Sequence, residues 1–252
     1  MEERLVPAVP AESRPMDSAA AAEAGPDAPA RRPIDDPRAL QILSTEHWSL
    51  LTARSLVYNE TFARGGMFLA LLSASLLVLG LIATATGFSD AFLTVAALIL
   101  TLDLFVGIAT LGRIAGASDE DLRYLQGMNR LRHAYHDMVP GLEDYFITSR
   151  YDDFDSVAAF YGPTEPSMLK GILHGFTTMP GMIGSILAAL AGVLLAVLLL
   201  LATHDPVLAG TAGVAASVLA FAVVLVISYR AARAFVRRMT AKWPAPRPER
   251  EG

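Results

Sequence analysis

His133 and His136 stand three residues apart and are followed at once by Asp137. On a helix that spacing sets two imidazoles on one face. With Glu143, Asp144 or the acids Asp152, Asp153 and Asp155, the set is a candidate site for a ligand or a divalent metal. It lacks the His-Glu-x-x-His spacing of helical zinc sites, and the plainer reading is a solvated polar helix face. The three later acids read as helix starts rather than as a calcium loop, because the required Gly and terminal Glu are missing. Asp103 is the second candidate, the one ionisable residue deep inside a long apolar stretch. A carboxylate in lipid faces a bundle interior or a water path and marks proton or ion handling; otherwise it is a hydrogen-bonded packing acid. Thr101, Ser73, Ser75 and Thr84 are its candidate partners.

No phosphate-binding loop, dinucleotide-binding glycine pattern, nucleophile elbow or kinase signature occurs. The chain has no cysteine, which excludes disulfides, thiolate zinc sites, iron–sulfur clusters and cysteine nucleophiles together. No catalytic residue is therefore assigned. No metal or cofactor is expected, and the chain reads as a non-enzyme. A net charge of -5 gives no basic excess for nucleic acid.

The elements that must carry these residues are apolar helices. Hydrophobic residues make up 53% of the 252 and charged ones only 18%, with a mean hydropathy of +0.43, which disfavours an ordinary soluble enzyme. Residues 65–89 hold 25 consecutive positions without charge. Residues 91–112 are broken only by Asp103, residues 181–203 are almost wholly apolar, and residues 206–229 hold 24 more uncharged positions. A bilayer core takes about 20 helical residues, so four segments qualify as spans. They are too long and too uniformly apolar for the alternating strands of a membrane barrel. The fold class is all-α: a polytopic membrane protein with four transmembrane helices and a cytosolic antiparallel helical stalk.

All 20 Lys and Arg residues lie before the first span, between the second and third, or after the fourth. The positive-inside rule then puts both termini and the central loop in the cytoplasm, and the two short turns with Asp90 and Asp205 outside. The excess of Arg over Lys suits a GC-rich bacterial genome, and the expected location is a bacterial plasma (inner) membrane, crossed several times.

Residues 1–37 read as a disordered, acidic, Pro/Ala-rich tail, with seven of the 15 prolines and eight acids against four arginines. Residues 38–139 read as a helical hairpin, with the stalk and spans at about 66–88 and 91–112. Trp48, Leu51, Ser55, Tyr58 and Phe62 recur at spacings of 3 and 4, and Leu122, Leu125, Met128, Leu131, Tyr135 and Met138 form a second stripe. The two stripes are expected to bury each other. Ser44 is the expected cap of the first stalk helix, and Ser118 with Asp121 that of the second, after a short link at 116–118. Residues 140–179 read as a cytosolic linker with short helices, including an amphipathic lead-in at 168–176. Residues 180–238 hold spans at about 181–203 and 206–229, and 239–252 a second disordered tail.

Two further sets carry structural chemistry. Gly184, Ala188 and Gly192 lie four apart, as do Ala209, Gly213 and Ser217, a spacing of small residues that lets helices approach closely in lipid. Arg230, Arg233, Arg237 and Arg238 follow the fourth span and can meet lipid phosphates.

The stretch LSTEHWSLLTARSLVYNETFARGGMFLALLSAS, then LFVGIATLGRI and MNRLRHAYHDMVPGLEDYF, resembles a set of uncharacterised bacterial four-span integral membrane proteins. The matching positions are Glu46, His47, Trp48, Arg54, Asn59, Arg64, Asn129, Arg130, Arg132, His133 and Tyr135. That resemblance carries no activity. The order stalk helix, two spans, stalk helix is also similar to the SLATT two-transmembrane domain, which implies a membrane-pore effector of bacterial nucleotide-signalling conflict systems. Two function classes follow. One is a non-enzymatic sensor, scaffold or effector acting through its stalk, and the other a small oligomeric channel or proton-coupled transporter using Asp103. The expected partners are the lipid bilayer, a second copy of the chain and a cytosolic protein, with no nucleic acid. A third class, metal-dependent chemistry at the membrane surface on His133 and His136, lacks a catalytic pattern.

Overall fold

The computed structural model describes residues 32–161 and 178–246, and no strand occurs among them. The helices are α1 (Ala39–Thr86), α2 (Asp90–Met138), α3 (Phe154–Ala158), α4 (Met179–Thr203) and α5 (Pro206–Arg238). α1, α2, α4 and α5 are long and apolar enough to cross a membrane, so the chain is an all-α polytopic bundle.

The reversals are set by local chemistry. Between α1 and α2, Gly87 takes φ 63°, a left-handed value that suits glycine. The Ser89 side chain then caps α2 by accepting from the Phe92 amide at 3.3 Å. Between α4 and α5, His204 adopts the left-handed region. Asp205 Oδ1 accepts from the amides of Val207 and Leu208 at 2.9 and 3.1 Å, with Pro206 at the first helical position. α2 ends at Met138, before Pro140 and the left-handed Gly141.

α2 is the central helix, packed on α1 along one flank and on α4 along the other, while α5 packs mainly on α4. Phe68, Leu93, Ala96, Leu100, Ile114, Ile183, Leu187 and Leu190 form the buried core of the spans. Gly107 is the hinge of this core in the packing sense. A Cβ there would land on Leu187 and on the Phe68 ring, so only glycine lets α1, α2 and α4 close together. Gly192 does the same between α4 and α5, where a Cβ would strike Ser217 Oγ and the Gly213 carbonyl. Gly184 lies against Val224, and Ala188 and Ala209 are buried.

Beyond the spans, α1 and α2 continue side by side as an antiparallel stalk. The structure departs here from three local expectations. Ser44 does not start a helix: α1 begins at Ala39, and the Ser44 hydroxyl donates back to the Gln41 carbonyl. Residues 116–118 are not a link: α2 runs through them, and the Ser118 hydroxyl donates to the Ile114 carbonyl. Apart from Tyr58, whose hydroxyl reaches Asp121, the aromatic stripe is not the packing face. Trp48 is 68% and Phe62 61% exposed, whereas His47, Leu50, Arg54, Val57 and Thr61, each one residue earlier, turn inward. A shift of one residue rotates a helix face by about 100°, so a 3-and-4 spacing cannot tell adjacent stripes apart. The inner stripe wins because Arg54 meets Asp121 and Leu50 sits on Gly127 across the interface.

Residues 33–35, expected within the disordered tail, form a 3-10 turn closed by Arg32 and Asp35. The linker holds a 3-10 turn, Leu142–Tyr145, and α3, capped by Asp153. The expected lead-in at 168–176 and most of the N-terminal tail lie outside the described residues.

Candidate functional site

The polar chemistry concentrates in the stalk. Arg54 on α1 donates from Nε to Asp121 Oδ1 at 2.5 Å, and Tyr58 Oη donates to Oδ2 of the same carboxylate at 3.2 Å. Tyr161, just after α3, contacts Asp121 as well, and the Phe160 ring lies 4.3 Å from the Arg54 guanidinium. Asp121 therefore joins α1, α2 and the segment after α3. Burial works against the Arg54 charge, but Asp121 and Tyr58 outweigh it and raise its pKa. Nearer the spans, Arg113 clasps Glu60 at 2.8 Å and Glu120 at 2.9 Å. Hydrogen bonds from Arg113 and Arg64 hold the Glu60 carboxyl at about 2.

A cavity of about 750 Å³ opens beside this cluster. Tyr58, Ser118, Asp121 and Tyr161 form its polar end, and Phe62, Ile114, Met179 and Met182 its apolar end. It lies where α1 and α2 leave the apolar bundle and α4 enters it.

Asp152 organises the far side of the stalk. It is fully buried and accepts from Arg130 Nε at 2.7 Å and from the amides of Lys242 and Trp243 at 3.0 and 2.7 Å. Burial opposes its charge, and these donors overcome that and keep its carboxyl below the usual range. Gln126 and Arg130 donate to the Thr240 carbonyl, and the Ala245 amide donates to Asp153. Residues 239–246 are therefore not a disordered tail but a strap on α2. The sequence signal for this lay in Trp243, an aromatic in a Pro-rich end, and in an acid at 152 that caps nothing.

The predicted histidine set is not brought together. His133 stacks on the Trp243 ring at 4.6 Å and approaches Asp137 at 4.0 Å. His136, buried, faces Glu143 at 3.7 Å and the Phe146 ring at 5.2 Å. Among the described residues no three His, Asp or Glu side chains converge on a point that could hold a metal. The plainer reading, a solvated face, holds for Asp137, which is exposed, but not for His136, which is buried, nor for His133, which lies against Trp243.

Asn129 and Arg132 escaped the sequence reading as site residues. Asn129 Nδ2 donates to the Tyr151 carbonyl at 2.7 Å, and its Oδ1 accepts from Arg132 Nη1 at 2.6 Å. Arg132 is only 7% exposed and, among the described residues, pairs with no carboxylate. Burial and the neighbouring Arg54 cation both push its pKa down. The His47 ring lies 6.1 Å from that of Tyr135, its Nδ1 buried and without a partner among the described residues, its pKa lowered by burial and by Arg132.

Inside the bundle, Asp103 is fully buried on α2. Its Oδ1 accepts from Ser75 Oγ at 2.9 Å, and its Oδ2 has no partner among the described residues. Arg230, Arg233, Arg237 and Arg238 are exposed along the end of α5, Arg233 4.7 Å over the Tyr229 ring. No family model matches the chain, and neither does any curated protein or solved structure.

Proposed function

We propose that this chain is a non-enzymatic sensor, scaffold or effector of a bacterial plasma (inner) membrane that receives its partner or ligand at the stalk, with both termini in the cytoplasm. One observation carries the reading: α1 and α2 pass without a break from the apolar bundle into the stalk, and the buried polar chemistry gathers at that end. The opposite ends of the spans offer only the short turns at 87–89 and 204–205. The distribution of Lys and Arg supports the cytoplasmic placement of the stalk.

Native mass spectrometry of the full chain, extracted in mild detergent, tests this. A component that survives extraction and is lost from Asp121→Asn, which loosens the stalk, supports the reading. A chain repeatedly found with neither partner nor ligand removes it. Compartment reporters fused to the two ends test the orientation, and opposite readings for the ends overturn it.

A second reading, a small oligomeric channel or proton-coupled transporter, is favoured by the buried Oδ2 of Asp103, because an intramembrane acid with a free oxygen is costly to keep. Asp103 does not line the stalk cavity beside Asp121 or the hollow among the arginines at the end of α5. Flux in proteoliposomes decides it: equal flux in the wild type and Asp103→Asn, or none in either, dismisses transport.

A further inference from the structure

The strap after α5 lies on the stalk as an extended segment. Its exposure alternates, with Lys242 and Pro244 exposed and Trp243 and Ala245 half-buried. What holds it is its main chain. Asp152 takes the amides of Lys242 and Trp243 at 3.0 and 2.7 Å and donates its own amide to the Trp243 carbonyl at 3.1 Å. Asp153 takes the Ala245 amide at 3.1 Å, and Gln126 and Arg130 donate to the Thr240 carbonyl at 3.1 and 3.0 Å. Between those amides stands Pro244, which has none to give. The Trp243 ring has its own seat, stacked on His133 at 4.6 Å. Main-chain hydrogen bonds for affinity and a seat for one side chain are the means by which a protein surface recognises an extended peptide. The receiving groups are also fixed from the stalk side. Asn129 holds the Tyr151 carbonyl at 2.7 Å, Gln126 the Asp152 carbonyl at 3.0 Å and Arg130 the Asp152 carboxylate at 2.7 Å, and Asp153 is anchored as the cap of α3. The groove is thus built by α2 and the start of α3, and no strap residue belongs to the buried core.

We infer that this groove is a peptide-binding site, filled in cis by the chain's own Lys-Trp-Pro segment, and that the partner it receives is a protein presenting an extended segment of the same pattern. The resident strap defines the ligand chemistry: two successive free amides for Asp152, an aromatic ring on the second of them for His133, a proline next, and a free amide after it for Asp153. Met239 alone separates the end of α5 from Thr240, so the cis segment competes at the high effective concentration of a short tether. A partner enters by displacing the strap, which makes the strap a gate on its own site. The inference rests on the reading of the stalk as a receiving unit and names the chemical class of what it receives.

The test is fluorescence anisotropy of a labelled synthetic peptide of residues 238–246 with the full chain in mild detergent. Trp243→Pro removes the ring and one amide donor from the strap and so releases it in cis. The peptide is expected to bind Trp243→Pro saturably, and the wild type at least about tenfold more weakly, because the tethered strap competes. A peptide N-methylated at the nitrogens that match Lys242 and Trp243 is expected not to bind. Hydrogen exchange on the wild type needs no substitution: excess peptide is expected to speed exchange of the Lys242 and Trp243 amides, and the N-methylated peptide to leave it unchanged. Equal binding to wild type and variant overturns the inference, as does equal binding of the N-methylated peptide. Wild-type exchange that excess peptide leaves untouched overturns it whatever the variant does. A mixed dimer of wild type and Trp243→Pro that the peptide dissolves gives the segment to a second copy and overturns its assignment to another protein. Native mass spectrometry of the extracted wild type reads the receiving role of the stalk independently, so a component found there with no peptide effect here removes this inference alone.

Discussion

The backbone amide of Trp243 donates to Oδ1 of Asp152 at 2.7 Å, joining positions 91 residues apart across the stalk. With Arg130 and the Lys242 amide on Oδ2, one buried carboxylate fastens the strap after α5 to α2.

Asp152→Ala is expected to destabilise the protein by about 3 kcal/mol, since it strips a buried charge from Arg130 and two amides. The strap should come loose before the helices do. Tryptic cleavage after Lys242, followed by mass spectrometry, should therefore accelerate in the variant under conditions where the spans stay intact.

Gly107→Val and Gly192→Val are each expected to cost roughly 1–3 kcal/mol, because the added carbons meet packed neighbours on facing helices. Gly80→Ala is the control, with nothing within 4 Å of the added methyl. Melting temperatures in detergent should fall for the first two and hold for the third.

The outer and inner stripes of α1 predict opposite responses. Trp48→Gln should change stability by no more than about 0.5 kcal/mol, as expected of an exposed site. Leu50→Ala, which withdraws the side chain from Gly127, should cost on the order of 2 kcal/mol. Equal effects would mean that the stalk helices meet along a different face.

Acidification should weaken the fold through His47. Its pKa in the folded state lies below 6.5, so the unfolded chain takes up the proton first as pH falls. The stability contribution is whole above pH 6.5 and declines as pH drops from there toward the lower folded value. His47→Gln should flatten that part of a denaturant-midpoint profile while leaving the steeper loss at carboxylate pH values in place.

Ser75→Ala should cost about 1 kcal/mol, because it leaves both oxygens of Asp103 without a protein partner inside the bundle. Thermal unfolding in detergent measures it, with Ser73→Ala, whose hydroxyl donates only to the Leu69 carbonyl of its own helix, as the comparison.

The spans and the two tight reversals were legible because their signals are one-dimensional: uncharged runs of bilayer length, Gly87 before Ser89, Asp205 before Pro206. The antiparallel stalk was legible as a pair of apolar stripes, but not its rotation. The decisive contact, Arg54 with Asp121, joins residues 67 apart, and neither sits in an apolar pattern. The buried polar set failed for the same reason. His133 and His136 read as a wet face because their types are hydrophilic, and only the third dimension places the Trp243 ring on the first and the Phe146 ring on the second. Asp152 was read as one of three helix-start acids, a role that belongs to Asp153, the cap of α3, and to Asp155 in its first turn. The strap was hidden by composition, since prolines and charges around Trp243 look like solvent-loving sequence.

The continuity of α1 has a mechanical corollary. From Gly65 back to Ala39 the helix extends about 39 Å past the bundle as a stiff rod. A tilt of about 10° where it enters the bilayer would swing its tip by about 7 Å, and a push on the tip would be delivered to the lipid-embedded half with the same leverage. The helix runs unbroken through Gly65 and Gly66 where the two halves meet, so the water-side tip and the buried core around Phe68 share one hydrogen-bonded rod.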